Sequence, residues 1–108
     1  MFTKRFTFWF FENDGSYNSY YIINLNFKNE EQSEKLDDLV YDFSYEMEEK
    51  FGTHDIGILD GDFLGYESFE IPKSKELTVM KKWRNFFIKN GVDCDPVKHV
   101  TEKEFNHV

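Results

Sequence analysis

Two runs of aromatic and β-branched residues open the chain, and both alternate with the period of two that a β-strand requires. The first is Thr3–Phe11, which is dense in Phe, Thr and Trp, and the second is Tyr20–Phe27. Such residues suit a pleated, half-buried surface. Residues 13–16 (Asn-Asp-Gly-Ser) supply turn chemistry between them. The pattern therefore predicts an N-terminal β-hairpin.

The period then changes from two to that of an α-helix between Glu30 and about Lys50. Five apolar residues fall at i, i+3, i+4, i+7 and i+11 and form one stripe: Leu36, Leu39, Val40, Phe43 and Met47. Asn29 is a suitable N-cap, and the glutamates of the first turn lie where the positive end of the helix dipole stabilises negative charge. Gly52 is placed to end the helix.

Two short strands and a second helix make up the rest of the regular structure. The strands are predicted at Asp55–Leu59 and Tyr66–Ile71, with a glycine-rich turn between them. The helix is predicted at about Lys75–Asn90, capped by Ser74 and ended by Gly91. Its apolar positions are expected to face the core: Leu77, Met80, Trp83 and Phe87.

The order of elements is thus ββαββα, and the tail has room for an extra edge strand near Val97–Val100. The 108 residues suit a single α+β domain that spans 1–108. From the second strand onward the order fits the βαββαβ split arrangement called ferredoxin-like. We expect an antiparallel sheet of four or five strands with two helices packed on one face.

Composition excludes several classes of protein. With 40% hydrophobic and 19% aromatic residues the chain has too much apolar bulk for intrinsic disorder. Its single cysteine excludes an internal disulfide framework. No segment has the roughly 20 apolar residues of a membrane span, and the N-terminus does not match an export signal. We expect a cytoplasmic protein with no membrane partner.

Charge is concentrated on the first helix. Residues 30–49 hold nine carboxylates and one lysine, whereas residues 73–90 hold six basic residues and one glutamate. Like charges at i, i+4 each cost a few tenths of a kcal/mol, so the acidic row suggests a surface kept for a basic protein partner. Nucleic acid is excluded as a partner, because phosphate binding needs a basic surface. The predicted partner-binding residues are Asp37, Asp38, Asp42, Glu46 and Glu49, together with Asp60 and Asp62 of the strand–strand turn.

A second candidate surface lies on the hairpin. Two helices can cover only one face of the sheet, and the other face carries Trp9, Phe11, Tyr20 and Ile22. An uncovered apolar patch of this kind usually marks an association surface. We expect it to be buried in a homodimer, against a partner, or beneath the chain's own tail.

No constellation of residues indicates catalysis or a cofactor. The Asp60-Gly61-Asp62 sequence lacks the regular ligand spacing and distal Glu of a calcium loop. Cys94, His99 and His107 do not have the spacing of a metal site. Cys94 as a nucleophile with His99 as its base would also need an orienting group and an oxyanion site. We therefore predict no catalytic residue, no metal and no cofactor.

The segment Ile58–Glu67 (ILDGDFLGYE) resembles a group of small bacterial proteins of uncharacterised function. In those proteins a similar "DG–acidic–x–x–G" turn joins two strands of a ferredoxin-like domain. Size, acidity and the lack of catalytic motifs also resemble toxin-immunity proteins of contact-dependent inhibition systems. The resemblance implies a non-enzymatic immunity protein that occludes the basic groove of a nuclease toxin. Two alternatives stay open: a nucleic-acid mimic that inhibits a defence enzyme, and a homodimeric ligand-binding or regulatory domain.

Overall fold

The first two strands form a full-length antiparallel hairpin. β1 (Phe2–Phe11) pairs with β2 (Asn18–Phe27) in unbroken register. The structure is a computed structural model that describes residues 2–12, 17–51, 55–58, 63–70 and 73–106, the strands at 55–58 and 63–70 by their backbone alone. Alternation gives the hairpin a front face, with the even positions of β1 and the odd positions of β2, and a back face with the others. The predicted hairpin is confirmed.

The remaining strands extend the hairpin on both sides. They are β3 (Asp55–Ile58), β4 (Phe63–Glu70), β5 (Asp93–Cys94) and β6 (Lys98–Val100). The sheet order is β3-β4-β1-β2-β5, and β6 also pairs with β2. β1 and β4 run parallel, whereas the other described pairings are antiparallel.

The predicted α+β class and the order ββαββα are confirmed, but the prediction of a wholly antiparallel sheet is wrong at the β1–β4 pair. In a split βαβ unit, one strand separates the two that a helix connects. Here both β4 and β1 lie between β2 and β3. The reason is that β1 is fully paired with β2 along one edge and offers its other edge to β4. The sheet is therefore two hairpins side by side.

Helix boundaries follow local capping chemistry. α1 (Glu30–Phe51) begins where the Asn29 side chain accepts a hydrogen bond from the Gln32 amide at 2.9 Å. α2 (Glu76–Lys89) follows a 3₁₀ turn at Lys73–Lys75, so Ser74 lies inside that turn and does not cap the helix as predicted. Gly91, with φ of 77°, ends α2 in a Schellman motif, in which the Val92 amide donates to the Phe87 carbonyl.

The core lies between the front face of the hairpin and helices α1 and α2. On the hairpin it consists of residues with almost no exposed surface: Phe6, Phe8, Phe10, Tyr21, Ile23, Leu25 and Phe27. The predicted core positions Leu36, Val40, Met47, Met80 and Trp83 are buried, and Phe43 is half-buried.

Two predicted core residues, Leu39 and Leu77, are instead 42% and 69% exposed. The buried stripe of α1 includes two serines, Ser33 and Ser44, so its centre line lies away from Leu39. This rotates Leu39 toward the helix edge. In α2 the stripe begins at Glu76, so the next position, Leu77, points away from the sheet.

A third helix, α3 (Glu102–Asn106), lies on the back face, so the prediction of helices on one face only is wrong. Its Phe105 ring contacts the back-face Tyr20 ring with centroids 4.7 Å apart. Thr101 and Glu104 form a capping box: each side chain accepts a hydrogen bond from the other's amide, at 3.2 and 3.3 Å. A helix of five residues is too short to show a hydrophobic period in the sequence.

Candidate functional site

The side of α1 opposite its buried stripe forms a continuous acidic face. Its residues recur at helical spacing and are all exposed: Glu34, Asp38, Asp42, Tyr45 and Glu49. Tyr45 is 64% exposed at the centre of these carboxylates, and Tyr41 beside it is 41% exposed. The acidic face therefore combines negative charge with two aromatic side chains that the fold itself leaves uncovered.

The two lysines of α1 are each paired with another glutamate of the helix. Lys35 pairs with Glu31 at 3.1 Å and Lys50 with Glu46 at 3.4 Å, both at i, i+4. These are exposed pairs, which add little to stability. Among the described residues, the four carboxylates of the acidic face form no ion pair.

The predicted partner-binding residues fall in three places. Asp38, Asp42 and Glu49 lie on the acidic face, and Glu46 is exposed at its border with α2. Asp37 is half-buried at the flank of α1 and so contributes less surface than predicted. Asp60 and Asp62 lie outside the described residues.

A groove of about 520 Å³ runs between α1 and α2 beside the acidic face. Its floor is apolar and includes Phe43 and Phe86, whose rings stack with centroids 4.3 Å apart at 9°. Its walls carry opposite charges. The α1 wall bears Asp42, Glu46 and Lys50, whereas the charged residues of the α2 wall are Lys82 and Lys89.

Sequence reasoning missed a buried carboxylate, Glu76, at the first position of α2. Glu76 is 6% exposed, and its Oε1 accepts hydrogen bonds from the Tyr21 hydroxyl at 2.7 Å and from Ser19 Oγ at 3.3 Å. Its Oε2 is buried and has no hydrogen-bond partner among the described residues. The signal was present in the sequence, because Glu76 stands three and seven residues before the buried Val79 and Trp83.

His99 of β6 links this carboxylate to the surface. His99 Nε2 lies 3.0 Å from Ser19 Oγ, and the imidazole stacks on the Tyr21 ring at 4.6 Å. A serine has one proton, so while Ser19 donates to Glu76, the Nε2–H of His99 is the donor to Ser19. The Glu76 carboxylate is hydrogen-bonded to the buried Ser19 and not directly to the imidazole. Through Ser19, these hydrogen bonds connect the edge strand β6 to the core.

Burial raises the pKa of the two tyrosines nearest Glu76. The pKa of Tyr21 is raised to about 12, first by loss of solvent and then by its hydrogen bond to Glu76. The pKa of Tyr17 is also raised to about 12, by burial and by the negative charges of Glu76 and Glu12. Both phenols therefore stay protonated well above neutral pH, and Tyr21 serves as a hydrogen-bond donor rather than as a base.

The structure separates the candidate chemical residues. Cys94 pairs with Leu25 and His99 with Tyr21, so they lie four residues apart along β2, or about 13 Å at the rise of a strand. Burial raises the pKa of the Cys94 thiol, although Arg84 acts in the opposite direction. Within the described ranges no three His, Cys, Asp or Glu side chains are grouped to hold a metal ion. His107 lies outside these ranges.

The four residues of the predicted association surface lie together on the back face. Trp9 contacts Phe11 at 4.7 Å and stacks on Tyr20 at 6.4 Å between centroids. Trp9 is 36% exposed, whereas Ile22 is buried. Because the Phe105 ring of α3 packs on Tyr20, the Trp9 end is the more exposed part of the patch.

Comparison with known protein families, curated proteins and solved structures finds no match to this chain. Among the described residues, no helix is both long enough and apolar enough to span a membrane.

Proposed function

We propose that this protein is a non-enzymatic binding protein that neutralises a basic protein by covering its cationic surface with the acidic face of α1. The partner class that fits best is a nuclease toxin, whose substrate groove must be positive to hold phosphates. The protein would then act as its immunity protein, in the cytoplasm. The carrying observation is the pair of exposed tyrosines, Tyr45 and Tyr41, among the unneutralised carboxylates of one helix face.

Charge and aromatic surface contribute differently to such a complex. Uncompensated carboxylates raise the association rate and steer the basic partner, but they add less to affinity. Tyrosine is enriched at binding hot spots, because it buries a large apolar ring and keeps a hydroxyl for hydrogen bonding. A helix face that carried only charged residues would be an ordinary solvated surface. The exposed Tyr41 and Tyr45 favour a binding interface instead.

The test is co-expression with the toxin gene that adjoins an immunity gene, read out as cell survival. Asp38→Lys/Asp42→Lys should abolish protection while the protein accumulates normally, because both residues are exposed and off the buried stripe. With the purified toxin, Tyr45→Ala should weaken binding about tenfold or more, mainly through faster dissociation.

The matched control is Asp93→Lys/Glu102→Lys, which changes the net charge equally at exposed positions away from α1. It should protect as the wild type does. Equal loss in both double variants would point to net charge rather than to this face. Full protection by Asp38→Lys/Asp42→Lys would overturn the proposed function.

A further inference from the structure

In the groove between α1 and α2, an apolar floor lies between charged residues of both signs. Three lysines stand against two carboxylates around it, although the whole protein carries a net charge of −8. Leu39, 42% exposed, stands at the rim beside the stacked Phe43 and Phe86. Each copy therefore carries a net charge of only +1 at this groove, so two copies repel each other less here than elsewhere on their surfaces.

We propose that the groove is a self-association surface, at which two copies pack helix layer against helix layer about a two-fold axis that runs along the groove. Such an axis places α1 of one copy over α2 of the other, because it exchanges left and right and keeps the position along the groove. Asp42 and Glu46 of one copy then face Lys82 and Lys89 of its partner, and the reverse holds at the second contact. Leu39 of each copy packs into the groove of the other.

The size of the surface sets the expected strength. α1 has 22 residues and α2 has 14. At about 1.5 Å per residue and a helix width of about 10 Å, each copy presents on the order of 500 Å². A total near 1,000 Å² lies at the low end of specific interfaces, so we expect a reversible dimer with micromolar Kd. The dimer does not depend on the proposed function, but it would use Asp42 and Glu46, which a basic partner would also contact.

Charge exchange tests which walls meet. In the variant Asp42→Lys/Glu46→Lys both walls are basic, and in Lys82→Glu/Lys89→Glu both are acidic. Each variant alone should be monomeric by sedimentation at about 10–500 µM, a range that brackets a micromolar Kd. An equimolar mixture of the two should form a heterodimer, since every wall then faces its opposite. Circular dichroism checks that both variants are folded.

A pair of leucine variants tests the apolar part. Leu39→Ser should raise the dimer Kd about tenfold, whereas Leu77→Ser, which removes a leucine that is more exposed and outside the groove, should not change it. The proposal is overturned by a wild-type protein that is monomeric over the whole range. It is equally overturned by charge variants that dimerise like the wild type, or by a mixture of them that stays monomeric. None of these three results measures protection against a toxin, so the proposed function is judged separately.

Discussion

The front and back faces of the β1–β2 hairpin carry similar residues but have different fates. The front face contributes six apolar residues with no exposed surface: Phe6, Phe8, Phe10, Ile23, Leu25 and Phe27. The back face carries Trp9, Phe11, Tyr20 and Ile22, of which only Ile22 is buried. Both sets come from the same two strands, with the same alternation.

The difference is set by what packs on each face, not by the strands. Two long helices seal the front, and Trp83 alone contacts the Phe6, Phe8 and Phe87 rings with centroids 5.1–5.7 Å apart. On the back, the described cover is a five-residue helix at one end of the aromatic row. Strand composition therefore predicts that a face is apolar, but the rest of the chain decides whether that face is core or surface.

The largest expected effect is on the front face. Phe8→Ala should lower the free energy of unfolding by about 3–5 kcal/mol, because it leaves a cavity beside Trp83 in a sealed core. Phe11→Ala, the same substitution on the half-buried back face, should cost about 1 kcal/mol. Urea unfolding followed by circular dichroism measures both. Equal losses would show that the back face is as well packed as the front.

The buried network at the end of the front face should give the next largest effect. Tyr21→Phe removes the 2.7 Å donor to a buried carboxylate and should cost about 1.5–3 kcal/mol. In the Glu76→Gln background the same substitution should cost less, about 1 kcal/mol, because a hydrogen bond to a neutral amide is weaker than one to a carboxylate. A double-mutant cycle by urea unfolding gives the coupling. A cost of Tyr21→Phe that is identical in both backgrounds would contradict a charge-assisted bond.

The cover of the back face should contribute less. Phe105→Ala should cost about 1 kcal/mol and expose more of Tyr20 and Trp9, which would shift the tryptophan emission to longer wavelength. If the back face also associates, Trp9→Glu should lower the sedimentation coefficient at micromolar concentration, and Phe105→Ala should not. Identical monomeric sedimentation of the wild type and Trp9→Glu would rule out self-association through this patch.

The smallest effect at ordinary pH concerns the tyrosines. The folded-state pKa of Tyr21 is raised to about 12 from an unfolded value of 10.0, so its stabilising contribution is complete below pH 10 and is lost as pH rises toward 12. Tyr21→Phe should therefore flatten the fall in stability between these values. A spectrophotometric titration of the folded protein provides the check, since Tyr21 and Tyr17 should ionise near pH 12 rather than near 10. A single transition near 10 for all tyrosines would be inconsistent with the buried network.

Local patterns predicted the elements well, because each depends on neighbouring residues. The alternation in the hairpin, the Asn29 cap and the Gly91 stop are all confirmed. The rotation of α1 was harder to predict, since it depends on Ser33 and Ser44, which a hydrophobic count ignores. The parallel β1–β4 pair was missed for a similar reason: the hydrophobic pattern of a strand does not indicate which other strand pairs with its edge.

The candidate sites divide in the same way. The acidic face follows from charge and helical spacing, and the structure places Asp38, Asp42 and Glu49 on it as expected. The groove and the Glu76 network could not be predicted, because each joins residues from elements distant in the sequence. Ser19 and His99, which are in contact, belong to β2 and β6 at opposite ends of the chain.

The central position of β1 has a consequence for synthesis of the chain. The hairpin is complete as soon as Phe27 has left the ribosome, yet one edge of β1 must wait for β4, which follows about 40 residues later. Until then its phenylalanine-rich strand presents free amide and carbonyl groups, which can pair with another nascent chain. Because closing such a distant contact is slow, folding should be rate-limited by docking of the second hairpin on the first. Expression at high temperature should therefore lose protein to aggregates that form through this edge before the mature fold can hide it.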